Sequence, residues 1–221
     1  MVEGHSDQQS PLLQVVHEDP WLLALVKPVG LLAVPGRGAA KADCLSRRAQ
    51  QRWSDALVVH RLDQATSGLM LLARGIAMQR ALNSAFAERR VHKVYQAQVH
   101  GLLEHPGSDD GWGQIDLPLL PDWPNRPRSK VDHAGGKPSR TRWRVLAHDR
   151  AGHTTRVLLE PVTGRSHQLR VHLAAIGHPI VGDTLYGPPD GAPRLLLHAC
   201  LLRLHHPADG RLLTLDSEAG F

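Results

Sequence analysis

The sequence predicts an α+β fold in a single domain. Short apolar runs of strand character are mixed with three helical stretches, without the regular βαβ alternation of a doubly wound sheet. The chain has no internal repeat and no linker long enough to divide it. Its 221 residues suit one domain, and at 42% hydrophobic it has enough apolar side chains to bury a core.

Each element rests on a local pattern. Leu12 to Val16 and Leu22 to Val26 read as two short strands, with turn chemistry at Glu18-Asp19-Pro20 and Trp21 opening the second strand. Lys27-Pro28-Val29-Gly30 breaks the pattern. Leu31 to Val34 resumes it before Pro35-Gly36-Arg37-Gly38. Leu45 to Trp53 reads as a helix. So does Ile76 to Arg89, where Met78, Leu82, Ala85 and Phe86 share a face. Between them, Leu57 to Val59 and Leu69 to Ala73 read as buried strands, and Val94 to Val99 as another. Trp143 to Ala147 and Thr155 to Glu160 form a strand pair joined through Asp149 to Gly152. Ser166 is a suitable N-cap for a helix from His167 to Ile176, closed by Gly177. In that helix Leu169, Leu173 and Ile176 face the core while Arg170 looks elsewhere. Leu195 to Leu204 and Leu212 to Leu215 close the chain as a hairpin.

The totals exclude several function classes. Lys plus Arg is 26 against 21 for Asp plus Glu, an excess that permits a polyanionic partner without requiring one. Cys44 and Cys200 allow at most one bridge and form no C-x-x-C, so a reducing compartment is the simpler expectation. None of the 15 histidines sits in H-E-x-x-H or a Cys/His ligand spacing, so no metal is expected. Met1 to Ser10 is polar and lacks a signal-peptide core, and no apolar run approaches the roughly 18 residues of a membrane helix. A cytoplasmic protein is the expectation.

Three constellations carry chemistry. In His60-Arg61-Leu62-Asp63-Gln64-Ala65-Thr66-Ser67-Gly68, one carboxylate lies near a guanidinium, in a turn rich in small residues, before an apolar run. An Asp there is more often a turn former than a catalyst. It can also serve as a nucleophile or a base without a metal. A kinase catalytic loop is excluded, because neither a Gly-rich phosphate loop nor Asp-Phe-Gly is present. Thr163 to Arg170 is a tight turn feeding a helix N-terminus, where backbone amides and Arg165 suit an anion. Arg165 can equally pair with a buried carboxylate such as Asp63. Tyr95 shares a strand face with Lys93 and Ala97, as a core tyrosine or as a base-stacking platform.

Gly101 to Arg142 is rich in Pro and Gly and poor in apolar periodicity. Between Trp123 and Arg144 stand Arg126, Arg128, Lys130, Lys137, Arg140, Arg142 and Arg144, against the single acid Asp132. Cations with Trp123 and Trp143 on an irregular loop suit a nucleic-acid backbone and unstacked bases. A solvated surface loop is the other reading.

Together these residues resemble the pseudouridine synthases of the ribosomal large subunit synthase A type. The matches are His60 to Gly68, Lys93-Val94-Tyr95-Gln96-Ala97, Gly164 to His172, Gly177 to Asp183 and Arg194 to Ala199, in family order over nearly the whole chain. Asp116 to Leu119, Asp122 to Pro127 and Gly136-Lys137-Pro138 are similar to the synthase A branch in particular. Val26 departs from the family pattern, which often has Asn before Lys-Pro. The resemblance implies a single catalytic domain over residues 1–221 without an S4-type RNA-binding domain. It also implies a mixed, mainly antiparallel central sheet flanked by helices and RNA-binding loops.

It implies roles as well. Asp63 is the catalytic aspartate, Arg165 forms the ion pair that positions it, Tyr95 packs against the target uracil, and Arg61 enters the gap left by a flipped base. Leu196 or Leu197 lines the pocket floor. The choice falls on Leu196, although a one-residue slip reverses a strand face. His60, Trp123, Arg126, Arg128 and Lys130 are expected to contact RNA. The implied reaction breaks the uridine N1–C1′ bond, turns the base and joins C5 to C1′. It is redox-neutral and demands no cofactor. The implied partners are stem-loops of tRNA and 23S rRNA, with uridine 32 of the anticodon loop and uridine 746 as targets, acted on by a monomer. A synthase with a single RNA target and a non-catalytic RNA-binding module are the alternatives. A glycosidase lacks its second placed carboxylate.

Overall fold

The computed structural model describes residues 13–221. Leu12 and the polar N-terminal stretch lie outside the described residues. Strands β1 (Gln14–Glu18) and β2 (Leu22–Lys27) form a hairpin. At its turn Asp19 Oδ1 accepts the N–H groups of Trp21 at 2.7 Å and Leu22 at 2.9 Å. Leu31 to Val34, expected as a strand, forms only an isolated bridge between Leu32 and Cys44. Helix α1 (Leu45–Arg52), β3 (Ala56–Val58), β4 (Ser67–Arg74), α2 (Ile76–Ala87) and β5 (His92–His100) follow. Next come β6 (Gly113–Asp116), β7 (Leu119–Pro121), β8 (Ser129–Val131), β9 (Arg140–Asp149) and β10 (Thr154–Pro161). Helix α3 (Gln168–Ala175), β11 (Leu197–His205) and β12 (Leu212–Asp216) complete the order.

The main sheet runs β1-β2-β4-β11-β5-β10-β9-β6, with β3 added to β4 and β12 to β11. Among these strands only the β4–β11 pair is parallel. The expected α+β class, mixed sheet and closing hairpin are therefore found. The strands β7 and β8 form a separate two-stranded hairpin.

The apolar run Leu69 to Ala73 makes sense in this frame. Alternate side chains of a strand point to opposite faces. Leu69, Leu71 and Ala73 pack with Leu22, Ala24 and residues Met78, Leu82 and Ala85 of α2. Met70 and Leu72 pack on the other face with Leu23, Leu25 and residues Leu45 and Ala49 of α1. A strand covered on both faces needs a continuous apolar run rather than alternation. A further core forms where α3 lays Leu169 and Leu173 on Ala97, Val99, Val157 and Leu159. No helix among the described residues is long and apolar enough to cross a membrane.

Gly68 is fixed by the parallel junction. It pairs with Ala199, has φ +114°, and a Cβ there would collide with the Ala199 backbone. The glycine that ends the Asp63 motif thus lets β11 approach β4 directly beside the site.

Candidate active site

Asp63 lies on the loop between β3 and β4, and that loop is anchored on several sides. Thr66 N–H donates to Asp63 O at 3.1 Å, closing the turn. Gly30 N–H donates to Gln64 O at 2.9 Å, and Gln64 Nε2 donates back to Gly30 O at 2.9 Å. Lys27, at the end of β2, is fully buried. Its Nζ donates to Pro28 O at 2.8 Å, Leu31 O at 2.8 Å and Gln64 O at 3.1 Å. Burial pulls this ammonium down to about 8, against the opposing pull of the Asp63 charge.

His60 belongs to the same scaffold. Its Nε2 accepts the Leu71 N–H at 2.8 Å, and its ring stacks on Phe86 with centroids 4.5 Å apart. Burial, aided by the Lys93 charge, pushes the imidazole down to about 3. An imidazole nitrogen that accepts an N–H is unprotonated, so geometry and electrostatics agree. The ring expected to contact RNA borders the cleft but clamps β4.

Asp63 opens into a cleft of about 1170 Å³, lined among others by Arg61, Tyr95, Arg165, Arg170 and Leu197. Tyr95 comes from β5, beside Ala199 of β11 and Leu159 of β10. Burial first, and the Asp63 charge second, push its hydroxyl above the ordinary tyrosine range. Tyr95 therefore stands neutral beside the carboxylate. Arg61 is exposed at the rim and has no ion pair among the described residues. Lys93, one turn of the strand pleat away, also lines the cleft, and burial lowers its pKa.

Two expectations are corrected here. The guanidinium nearest Asp63 is Arg170, whose Nη1 lies 3.7 Å from Asp63 Oδ2. Arg165 is exposed and makes no salt bridge among the described residues. The turn at Thr163 to Arg165 is strapped to Gln168, whose Oε1 accepts from Thr163 Oγ1 at 2.6 Å and from Arg165 N–H at 3.1 Å. The N-cap is His167 rather than Ser166, in the left-handed region at φ 55°. From Gln168 to Leu173 every residue of α3 is buried, so the helix is covered on all sides and Arg170 lies inward instead of away. Arg170 donates from Nε to Asp183 Oδ2 at 2.8 Å and from Nη2 to Asp183 Oδ1 at 2.6 Å. This bidentate pair is almost fully buried and leaves Nη1 for Asp63.

The second correction concerns the pocket floor. Leu197, the first residue of β11, is buried and lines the cleft. Leu196 precedes the strand, donates its N–H to Val181 O at 2.9 Å and does not line the cleft.

The basic segment is also more ordered than its composition suggests. Arg140, Arg142 and Arg144 sit on β9, not on a loop. Arg140 pairs with Asp116 at 3.1 Å, and Arg142 with Asp110 at 2.9 Å and Glu160 at 3.0 Å. Trp143 packs against the α3-side core. What remains outward is the β7–β8 connection. Trp123 is 63% exposed there, with the Arg126 guanidinium 3.3 Å above its ring. Arg128 and Lys130 are exposed, and Lys130 also reaches Asp132 at 3.3 Å. Pro127 of this connection lines the same cleft as Asp63.

Lys27, His167, Arg170, Asp183 and Tyr186 were not assigned site roles from sequence. Lys27-Pro28 at the end of an apolar strand was the available signal for the first. The spacing Arg170 to Asp183 carries no local pattern, since the two meet only through the fold.

A family model for RNA pseudouridylate synthase matches residues 22–175. The chain belongs to that family. It is 45% identical to the dual-specificity RNA pseudouridine synthase RluA of Escherichia coli strain K12, over all of this chain and 99% of that one. The synthase of the same name from Vibrio cholerae is 45% identical over 96% of this chain and 84% of its own length. Among solved structures, human RNA pseudouridylate synthase domain containing 1 superposes with TM-score 0.75 at 29% identity, covering 98% of this chain and 86% of that chain. Human domain containing 4 gives 0.71 at 25% identity, covering 93% and 88%. The protein is therefore a pseudouridine synthase, an isomerase, and its α+β architecture is that of these neighbours.

Proposed function

We propose that this synthase isomerises uridines in two RNA classes, stem-loops of tRNA and of 23S rRNA, as a cytoplasmic monomer. The dual-specificity names of its full-length relatives support the two-class reading. The observation that carries the site assignment is Asp63 itself. It is a partly exposed carboxylate lining the cleft, 3.7 Å from the buried Arg170 guanidinium, with the neutral Tyr95 in the same lining.

In this reading Asp63 reacts with the sugar or base of a flipped uridine, and Tyr95 packs against the uracil over a floor made by Leu197. Extrusion from a structured loop costs a few kcal/mol. Arg61, exposed and without an ion pair among the described residues, fills the vacated position. Arg165 at the exposed turn and Trp123, Arg126, Arg128 and Lys130 on the β7–β8 connection hold the RNA backbone and an unstacked base.

The test incubates the wild-type and Asp63→Asn enzymes with unmodified tRNA and a 23S rRNA hairpin and maps pseudouridine in each. Wild type is expected to modify both. Asp63→Asn should lose at least about 10²–10⁴-fold in rate, the scale of one positioned acid or base. Modification surviving the substitution sinks the assignment of Asp63. One RNA left untouched by wild type sinks dual specificity.

A further inference from the structure

His167 holds an unusual place in this site. It is one of three non-glycine residues at positive φ among the described residues, at φ 55° and ψ 18°. A side chain with a Cβ is disfavoured there, and glycine or asparagine would relax it. Such strain persists where surrounding contacts demand a particular side chain. The contacts are specific. His167 Nδ1 lies 2.7 Å from Tyr186 Oη, and its Nε2 lies 3.8 Å from Asp63 Oδ2. Tyr186 Oη also accepts the Ser129 N–H at 2.7 Å. The Tyr186 backbone N–H donates to Asp183 Oδ1 at 3.1 Å, the same carboxylate that grips Arg170.

The hydrogen bonds favour one arrangement of protons. With a proton on Nδ1, the Nε2 lone pair would face the Asp63 carboxylate, acceptor against acceptor, and the Tyr186 hydroxyl hydrogen would lose this partner. With the proton on Nε2, Ser129 N–H donates to Tyr186 Oη and Tyr186 O–H donates to Nδ1, while Nε2–H faces Asp63 Oδ2 across 3.8 Å, longer than a hydrogen bond. Burial lowers the imidazole pKa, outweighing the opposing pull of Asp63, and so favours this neutral form. Burial also raises the Tyr186 hydroxyl, which keeps its proton for the bond to Nδ1.

We propose that His167 is a positioning residue for Asp63, locked as its Nε2–H tautomer by Tyr186. The imidazole of His167 and the guanidinium of Arg170, both from the start of α3, then face the same Asp63 oxygen at 3.8 and 3.7 Å, and a small shift of the carboxylate would bring it into hydrogen-bond reach of both when a uridine binds. Ser129 belongs to β8, so the backbone of the hairpin that presents Arg128 and Lys130 is the far end of the same chain of hydrogen bonds. The activity part of the proposal rests on Asp63 being the reacting carboxylate, whereas the tautomer does not.

The test uses Tyr186→Phe, which keeps the ring beside Arg170 and His167 and removes only the hydroxyl. Imidazole ¹⁵N spectra of the free enzyme should show His167 protonated at Nε2 in wild type and as a tautomer mixture in Tyr186→Phe. On RNA, Tyr186→Phe and His167→Ala should lower the single-turnover rate about 10–100-fold, the scale of a small misplacement of a reacting group. The RNA Kd should change less than about threefold, well under 1.4 kcal/mol. His167→Asn tolerates positive φ and keeps a side-chain N–H, and is expected to recover part of the rate lost in His167→Ala. A wild-type His167 protonated at Nδ1 overturns the proposal. So do variants that fold and turn over at the wild-type rate, or whose loss lies entirely in Kd. The spectra are read without RNA, so they stand apart from any error in the choice of substrate or in the role of Asp63.

Discussion

The loop that carries Asp63 and the hairpin that carries Arg128 and Lys130 line one cleft but are held by opposite means. The Asp63 loop is gripped from beneath by the buried Lys27 ammonium, by both ends of Gln64 and by the bond from His60 to β4, with one helix on each face of the sheet. The hairpin is two strands of three residues each, outside the main sheet, with Ser129 as its buried residue in β8. The difference separates two demands. A reacting carboxylate must be held within a fraction of an ångström. Groups that follow a phosphate backbone tolerate far looser placement, because their attraction is long-ranged and indifferent to register.

The largest expected effect tests the rigid side. Arg170→Met strands the Asp183 carboxylate, which is wholly buried, and should cost about 3–5 kcal/mol in urea unfolding. Arg165→Ala, at an exposed side chain with no ion pair among the described residues, should stay within about 0.5 kcal/mol. Similar losses from the two substitutions would return Arg165 to the role first expected for it.

A smaller effect probes Lys27. Its pKa of about 8 in the folded protein lies below the ordinary 10.5, so between these values the unfolded chain binds more protons than the folded one. Stability therefore rises with pH across that window, as the buried charge is discharged, by at most about 3 kcal/mol. The difference between wild type and Lys27→Met, followed by urea unfolding from pH 7 to 10.5, should show this rise. Parallel profiles would mean that the loop is not braced by a desolvated ammonium.

The smallest effect belongs to the hairpin. Replacing Arg126, Arg128 and Lys130 by alanine should weaken RNA binding about tenfold, about 1.4 kcal/mol, and lower the slope of log K against log salt by roughly 2. Folding should hardly change. An unchanged salt slope would make this connection an ordinary solvated surface.

Much of the fold was legible because its signals are local. The double-sided burial of Leu69 to Ala73, the helix face of Met78, Leu82 and Ala85, and the closing hairpin all follow from periodicity. The errors share another cause. Arg170 against Arg165 turned on α3 being buried on all sides from Gln168 to Leu173, which its local pattern does not reveal. Leu197 against Leu196 turned on strand register. The excess of cations between Trp123 and Arg144 shrank because Asp110, Asp116 and Glu160 lie outside that window and meet Arg140 and Arg142 only through the fold. A pairing over such separations leaves no trace in a short stretch of sequence.

The order of the central sheet has a consequence for synthesis. β11 is the second-to-last strand of the chain, yet it lies between β4 and β5 in the middle of the sheet. On the ribosome, a chain that has emerged only as far as α3 holds Asp63, Tyr95 and Arg170 but lacks the strand that joins their supports. Closing that gap brings Ser67 and His198 together across 131 positions, a late and entropically demanding step. The enzyme is thus expected to be inert toward RNA until nearly the whole polypeptide has left the exit tunnel.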